Sequence, residues 1–109
     1  MRNIKVLYLE EVSAYLDTLD SKVKAKILYN VEKAKRINDP QLFKKLTNDI
    51  WEFRTLYNGL QYRMLAFWDN RTNAFVVATH VFIKKTDKVP KSEIEKAEAI
   101  MKQYFKNNY

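Results

Sequence analysis

The segment DIWEFRTLYNGLQYRMLAFW, Asp49 to Trp68, contains the chain's one glycine and decides its architecture. Two strand-like runs, DIWEFRTLY and LQYRMLAFW, flank Asn58-Gly59. Asparagine and glycine tolerate the positive φ that both central positions of a type I′ turn require, so the pair predicts a two-residue hairpin. Such a turn sets the register: Tyr57 faces Leu60, Thr55 faces Tyr62 and Arg54 faces Arg63. Because side chains alternate along a strand, Trp51, Phe53, Thr55, Tyr57, Leu60, Tyr62, Met64, Ala66 and Trp68 share one face, the apolar core face. Glu52, Arg54, Leu56, Gln61, Arg63, Leu65 and Phe67 share the other.

Downstream, a polar loop from Asp69 to Asn73 leads into a third strand-like run, AFVVATHVFI, from Ala74 to Ile83. Pro90 then suits the first position of a closing helix that carries Ile94, Ala97, Met101 and Tyr104 on one side. Upstream, Ile4 to Leu9 reads as a short strand, Glu10 to Leu19 as a short helix, and Ser21 to about Ile37 as a longer one capped by Asp20 or Ser21. Val23, Ile27, Val31 and Ala34 form a single apolar stripe on that second helix, which Asn38-Asp39-Pro40 ends. The order is β-α-α-β-β-β-α. It implies an α+β fold: a small antiparallel sheet with two N-terminal helices packed on one face and a C-terminal helix. A chain of 109 residues is expected to form one domain, spanning 1–109.

Composition narrows the function classes. With 47% hydrophobic and 14% aromatic residues the chain can build a core, which argues against disorder. No apolar run approaches the length of a membrane-spanning helix. The opening MRNIKVLYLEEV lacks the apolar stretch and cleavage site of an export signal, so cytoplasmic residence and no membrane partner are expected. The absence of cysteine removes disulfides, cysteine-bound zinc and thiol nucleophiles. A single histidine with few clustered acids does not make a metal site, and no cofactor is expected. The net charge of +7 suits a polyanionic partner, nucleic acid above all, although charge for solubility is the plainer explanation.

Directly opposed Arg54 and Arg63 repel each other and need a compensating anion. Glu52, two residues along on the same face, can bridge them. A bound phosphate is the functional alternative, because the planar guanidinium fork matches it. Both hold together if Glu52 orients Arg54 while Arg63 meets a substrate. In the third strand the odd positions Phe75, Val77, Val81 and Ile83 are bulkier than the even positions Ala74, Val76, Ala78 and Phe82. If the bulky set faces the helices, His80 and Lys84 join the arginine face; a one-residue slip reverses this. A lone histidine in an apolar strand is more often a structural, hydrogen-bonded residue. Lys84, Lys85 and Lys88 surround the strand end, where next to Arg54 and Arg63 they would either track an RNA backbone or form a solvated face. Tyr57 and Tyr62 can stack on bases, but their place on the core face makes them structural.

The stretches KKLTNDIWEFR, YRMLAF and HVFIKKTDKVPKSEIEKA resemble the HigB-like, phage-derived branch of the RelE/ParE toxin superfamily. That pattern runs Leu-x-Glu-Leu-Arg, Tyr-Arg, His-Gly-Phe-x-Lys-Lys-Thr, then a proline and a helix with Glu and Ala. The likeness covers roughly Phe43 to Phe105 and is most specific at Phe82-Ile83-Lys84-Lys85-Thr86. Phe53 stands where the pattern has leucine, and Val81 where it has glycine. The resemblance implies the toxin of a type II toxin–antitoxin pair that cleaves mRNA, usually on the ribosome. It also implies a neutralising antitoxin, commonly a helix-turn-helix DNA-binding protein. It carries the family's arginine positions onto Arg54 and Arg63, and its His and Lys-Lys positions onto His80, Lys84 and Lys85.

The implied chemistry is metal-independent: the RNA 2′-OH attacks the adjacent phosphate and leaves a 2′,3′-cyclic phosphate. It needs a proton acceptor, stabilisation of the charged phosphorane and a donor for the 5′-oxygen. Arg54, Arg63 and Lys84 would hold charge, with Lys85, Lys88 and Gln61 binding phosphate and RNA and Glu52 orienting Arg54. His80 is the obvious acid or base by its ordinary pKa. A lysine with a pKa depressed by neighbouring cations is the alternative base. Two other classes remain open: a ParE-like inhibitor of DNA gyrase that cleaves nothing, and a basic RNA-binding module without catalysis.

Overall fold

The computed structural model describes residues 4–71 and 75–107. Met1 to Asn3 of the opening segment, and Thr72, Asn73 and Ala74 at the junction of the expected loop and third strand, lie outside the described residues. The element order is β1 (Lys5–Tyr8), α1 (Glu10–Asp17), α2 (Ser21–Arg36), β2 (Phe43–Lys45), β3 (Ile50–Tyr57), β4 (Leu60–Asp69), β5 (Phe75–Lys84) and α3 (Lys91–Asn107). The strands form one sheet in the order β1-β5-β4-β3-β2.

Two features correct the expected β-α-α-β-β-β-α, all-antiparallel layout. First, β1 runs parallel to β5, with Lys5 beside Phe75 and Tyr8 beside Ala78. Second, a three-residue strand, β2, adds to the far edge, where Phe43 pairs with Phe53 and Lys45 with Trp51. Phe43 is held there by its ring, which stacks on Phe53 at 4.3 Å and on Trp51 at 4.8 Å. Smaller boundary shifts follow the local chemistry. Helix α1 ends at Asp17, and Asp20 caps α2 by accepting a hydrogen bond from the Lys22 amide at 2.9 Å. Pro90 lies just before α3, its carbonyl accepting from the Glu93 amide at 3.0 Å.

The central hairpin adopts the expected register, Tyr57 opposite Leu60 and Arg54 opposite Arg63. Asn58 and Gly59 both take positive φ, 50° and 76°. A Cβ added at Gly59 would meet nothing within 4 Å. Gly59→Ala is therefore expected to cost only the backbone strain of the left-handed region, about 1–2 kcal/mol. The check is a lowered urea midpoint at unchanged slope.

The sheet is covered on both sides. Helices α1 and α2 close one face over Phe53, Tyr62, Met64, Ala66, Val76, Ala78 and Val81. The buried polar pair on this side is satisfied internally, with the Asn30 amide donating to the Thr55 hydroxyl at 3.0 Å. Helix α3 closes the other face over Ile50, Leu65, Phe67 and Val77, using Ile94, Ala97, Met101 and Tyr104 as its apolar side. Burial of a side chain such as Phe67 contributes about 1.5–3 kcal/mol. Among the described residues no helix is long and apolar enough to cross a membrane.

Strand β5 changes sides midway. Leu65 pairs with His80 and the next residue, Ala66, pairs with Ala78, which leaves Thr79 as the extra residue of a bulge. Its hydroxyl donates to the Leu65 carbonyl at 3.2 Å, so the disruption leaves that acceptor paired. The expected parity of β5 holds only after the bulge, where Val81 and Ile83 face α1 and α2 and Phe82 lies on the α3 side. Before it, Phe75 and Val77 lie on the α3 side, while Val76 and Ala78 face α1 and α2. An inserted residue reverses strand parity, and one parity cannot serve the whole run.

Candidate functional site

Helix α3 covers only part of its face; toward the turn end of the hairpin Arg54 is partly exposed, while Glu52 and Arg63 are buried. There a cleft of about 260 Å³ is lined by Gln41, Arg54, Thr55, Leu56, Gln61 and Arg63. Its rear is a buried charge cluster. The Glu52 side chain, 4% exposed, lies with its Oε1 3.2 Å from Arg63 Nε and its Oε2 3.8 Å from Arg54 Nε. Glu52 is thus the bridging carboxylate that two opposed arginines require. The contacts are close enough to pair charges but not aligned as hydrogen bonds, and Glu52 Oε1, Arg54 Nε and Arg63 Nε have no hydrogen-bond partner among the described residues. Coulombic attraction holds the group together and leaves the outer guanidinium nitrogens for other acceptors.

Those outer nitrogens point two ways. Arg63 Nη1 donates to the Tyr62 carbonyl at 3.2 Å, and Nη2 donates to Gln61 Oε1 at 2.7 Å. Arg54 Nη1 donates to the Pro40 carbonyl at 3.3 Å. Burial chiefly lowers the Arg63 pKa; Glu52 opposes the shift and Arg54 adds to it. Arginine nevertheless stays cationic at any working pH. Gln61 is exposed, so its side chain can move and give an anion access to Arg63.

The structure sets His80 apart from this cleft. It lies on the same side of the sheet, paired with Leu65 two residues along β4 from Arg63, but is only 1% exposed. Its Nε2 lies 2.9 Å from Glu93 Oε1 in the first turn of α3, its Nδ1 lies 3.0 Å from the Thr79 hydroxyl, and Phe82 stacks on its ring. A carboxylate accepts, which puts a proton on Nε2 and leaves Nδ1 to share the single Thr79 hydroxyl proton with the Leu65 carbonyl. His80 thereby joins β5 to α3. Burial chiefly lowers its pKa; the Glu93 hydrogen bond and the charges of Glu93 and Glu11 oppose this, and Lys96 adds to it.

The sign of the pH dependence follows. The folded chain resists a proton that the unfolded chain accepts near the usual 6.5. Stability is therefore full above that value, declines as pH falls toward the lowered folded pKa, and levels off below it. Urea midpoints between about pH 7 and pH 5 should show this decline, and His80→Gln should remove its share of it.

Lys84 pairs with Gln61 across the β4–β5 ladder, and its Nζ donates to the Asp87 carbonyl at 3.2 Å. It thus lies next to the cleft without lining it. Lys85 and Lys88 are exposed beyond the strand end. Sequence reasoning missed Gln41, which the Asp39 turn delivers to the cleft through an amide-to-carboxylate hydrogen bond of 2.8 Å. It also missed Glu93, the partner of His80. The Asn-Asp-Pro run marks a turn without marking what the turn approaches. Among the described residues no group of three or more His, Asp or Glu could hold a metal ion.

Residues 14–102 match a family model described as phage derived protein Gp49-like (DUF891). That family belongs to the RelE/ParE-like toxin superfamily. A comparison with characterised proteins finds no match.

Proposed function

The chain belongs to the Gp49-like phage-derived family, which suggests the toxin of a toxin–antitoxin pair and hence an antitoxin partner; from that premise we propose a HigB-like endoribonuclease that cleaves mRNA on the ribosome. The observation that carries this reading is the arginine cleft. Two cations are brought into direct register at cost to stability, backed by one buried carboxylate, with Arg54 partly exposed in the cleft and Arg63 buried behind the exposed Gln61. A surface that only bound protein would not need that arrangement, whereas a phosphate meeting a pre-formed guanidinium pair does.

In this reading the scissile phosphate enters the cleft, Gln61 yields its place on Arg63 Nη2, and Arg63 and Arg54 hold the charge that grows on the phosphorane. The RNA 2′-hydroxyl gives its proton to water and its oxygen bonds to phosphorus as the bond to the 5′-oxygen breaks; that oxygen takes a proton from water, giving a 2′,3′-cyclic phosphate and a 5′-hydroxyl. Lys84 adds positive charge beside Gln61, and Lys85 and Lys88 track the flanking backbone. Glu52 orients both arginines. His80, sealed under α3, acts as a positioning residue for the β5 end.

The test is cleavage of a defined mRNA on programmed ribosomes with the fragment ends mapped. Cyclic-phosphate ends made without added metal support the nuclease. No cleavage by well-folded protein would remove that reading, and inhibition of DNA gyrase would then be the assay to run.

A further inference from the structure

A second cleft, of about 630 Å³ against about 260 Å³ for the arginine cleft, lies at the opposite end of the central hairpin. Its lining residue on β4, Trp68, is five residues from Arg63, or about 17 Å at the rise of a strand. Both tryptophans of the chain, Trp51 and Trp68, line it. Trp51 is only half-buried, although its neighbours Ile50, Glu52 and Phe53 are buried. The two indoles meet edge to face at 6.4 Å and 82°. Asn48, Asn70 and Arg71 stand exposed around them.

The polar groups here differ in kind from those of the arginine cleft. Asp69 already meets the Arg71 charge at 3.0 Å, and the Arg71 guanidinium lies over the Phe105 ring at 5.0 Å. Lys45 has the Asp49 carboxylate on the same rim. The charges balance, so this is not a phosphate clamp. Beyond the Phe43 ring that stacks on Trp51, it offers indole surface together with two amides, each of which both donates and accepts. Flat π surface edged by amides is the chemistry that takes up an unstacked base of a single RNA strand.

We propose that this cleft binds a nucleobase of single-stranded RNA, as a second contact remote from the arginine cleft. It rests on the reading of the chain as a protein that acts on RNA. The placement of the two tryptophans supplies a direct readout, since intrinsic indole fluorescence reports on this cleft and on nothing in the other.

The experiment titrates the full chain with a short 2′-O-methyl oligoribonucleotide, which lacks the attacking hydroxyl, and with an abasic strand of equal length. The expected result is saturable quenching by the first, with the abasic strand about tenfold weaker. Asn48→Ala should weaken the quench several-fold. Equal quenching by both strands, no quenching, or a quench unchanged in Asn48→Ala would overturn the proposal. So would fluorescence that responds to a protein partner and not to RNA. Quenching without cleavage on ribosomes would leave the base site standing and remove the nuclease; cleavage without quenching would do the reverse.

Discussion

Glu52→Gln is expected to unfold at markedly lower urea than the wild type, with about 3–5 kcal/mol of stability lost. The substitution keeps the shape of the side chain and removes only its charge. Glu52 and Arg63 side chains are each 4% exposed, so water can replace little of the missing attraction. Arg54 and Arg63 would then face each other across the β3–β4 ladder as directly paired like charges. A second measurement separates this cause from a general packing defect. Millimolar phosphate should raise the midpoint of the variant more than that of the wild type, because an added anion stabilises the folded state that binds it. A loss under about 1 kcal/mol, in the range of an exposed pair, would mean that solvent already screens the two arginines.

The second large effect concerns activity. Arg63→Lys should lower the cleavage rate on programmed ribosomes about 10²–10³-fold while leaving the fold intact. Lysine keeps a positive charge for Glu52, but as a point charge on a flexible stem it cannot replace the planar fork. The nitrogen that reaches Gln61 at 2.7 Å marks where a phosphate oxygen would sit, and an ammonium cannot serve Glu52 and that position together. Lys84→Ala should cost less, because Lys84 stands beside the cleft and not in its wall. A loss under tenfold for Arg63→Lys would reduce Arg63 to a counterion for Glu52.

The contrast between what was readable in the chain and what was not has physical causes. The hairpin register was readable because Asn58-Gly59 admits few turns, and once the turn is set, every pairing from Tyr57–Leu60 to Arg54–Arg63 follows. Glu52 as the bridge followed from period-two alternation alone. The side of His80 was reached through a parity argument valid for only half of β5, since the Thr79 bulge leaves no compositional mark in a run of small and β-branched residues. Its burial depended on Glu93, thirteen residues away, and a cap of that kind exists only once α3 has docked. Strand β2 was missed because three residues carry too little periodicity to declare themselves; Phe43 is read as a strand residue only beside Phe53 and Trp51. The arginine pair was legible and its depth was not, because Gln41 and Pro40 reach it from a turn distant in sequence.

The parallel pairing of β1 with β5 has a consequence for how the molecule is made. Lys5 lies beside Phe75, so seventy residues separate partners that must meet to finish the sheet. Closing so long a loop carries an entropic cost before any contact repays it, and chains dominated by such pairings fold slowly. During synthesis the first strand emerges early and waits unpaired while both helices and the hairpin are built. Its backbone edge finds a mate only after the segment to Ala78 has left the ribosomal exit tunnel. Until then α1 lacks the strand it packs on, so a half-made chain has no finished core on that side, and premature release would yield a species open to capture by proteases or by other unpaired strands.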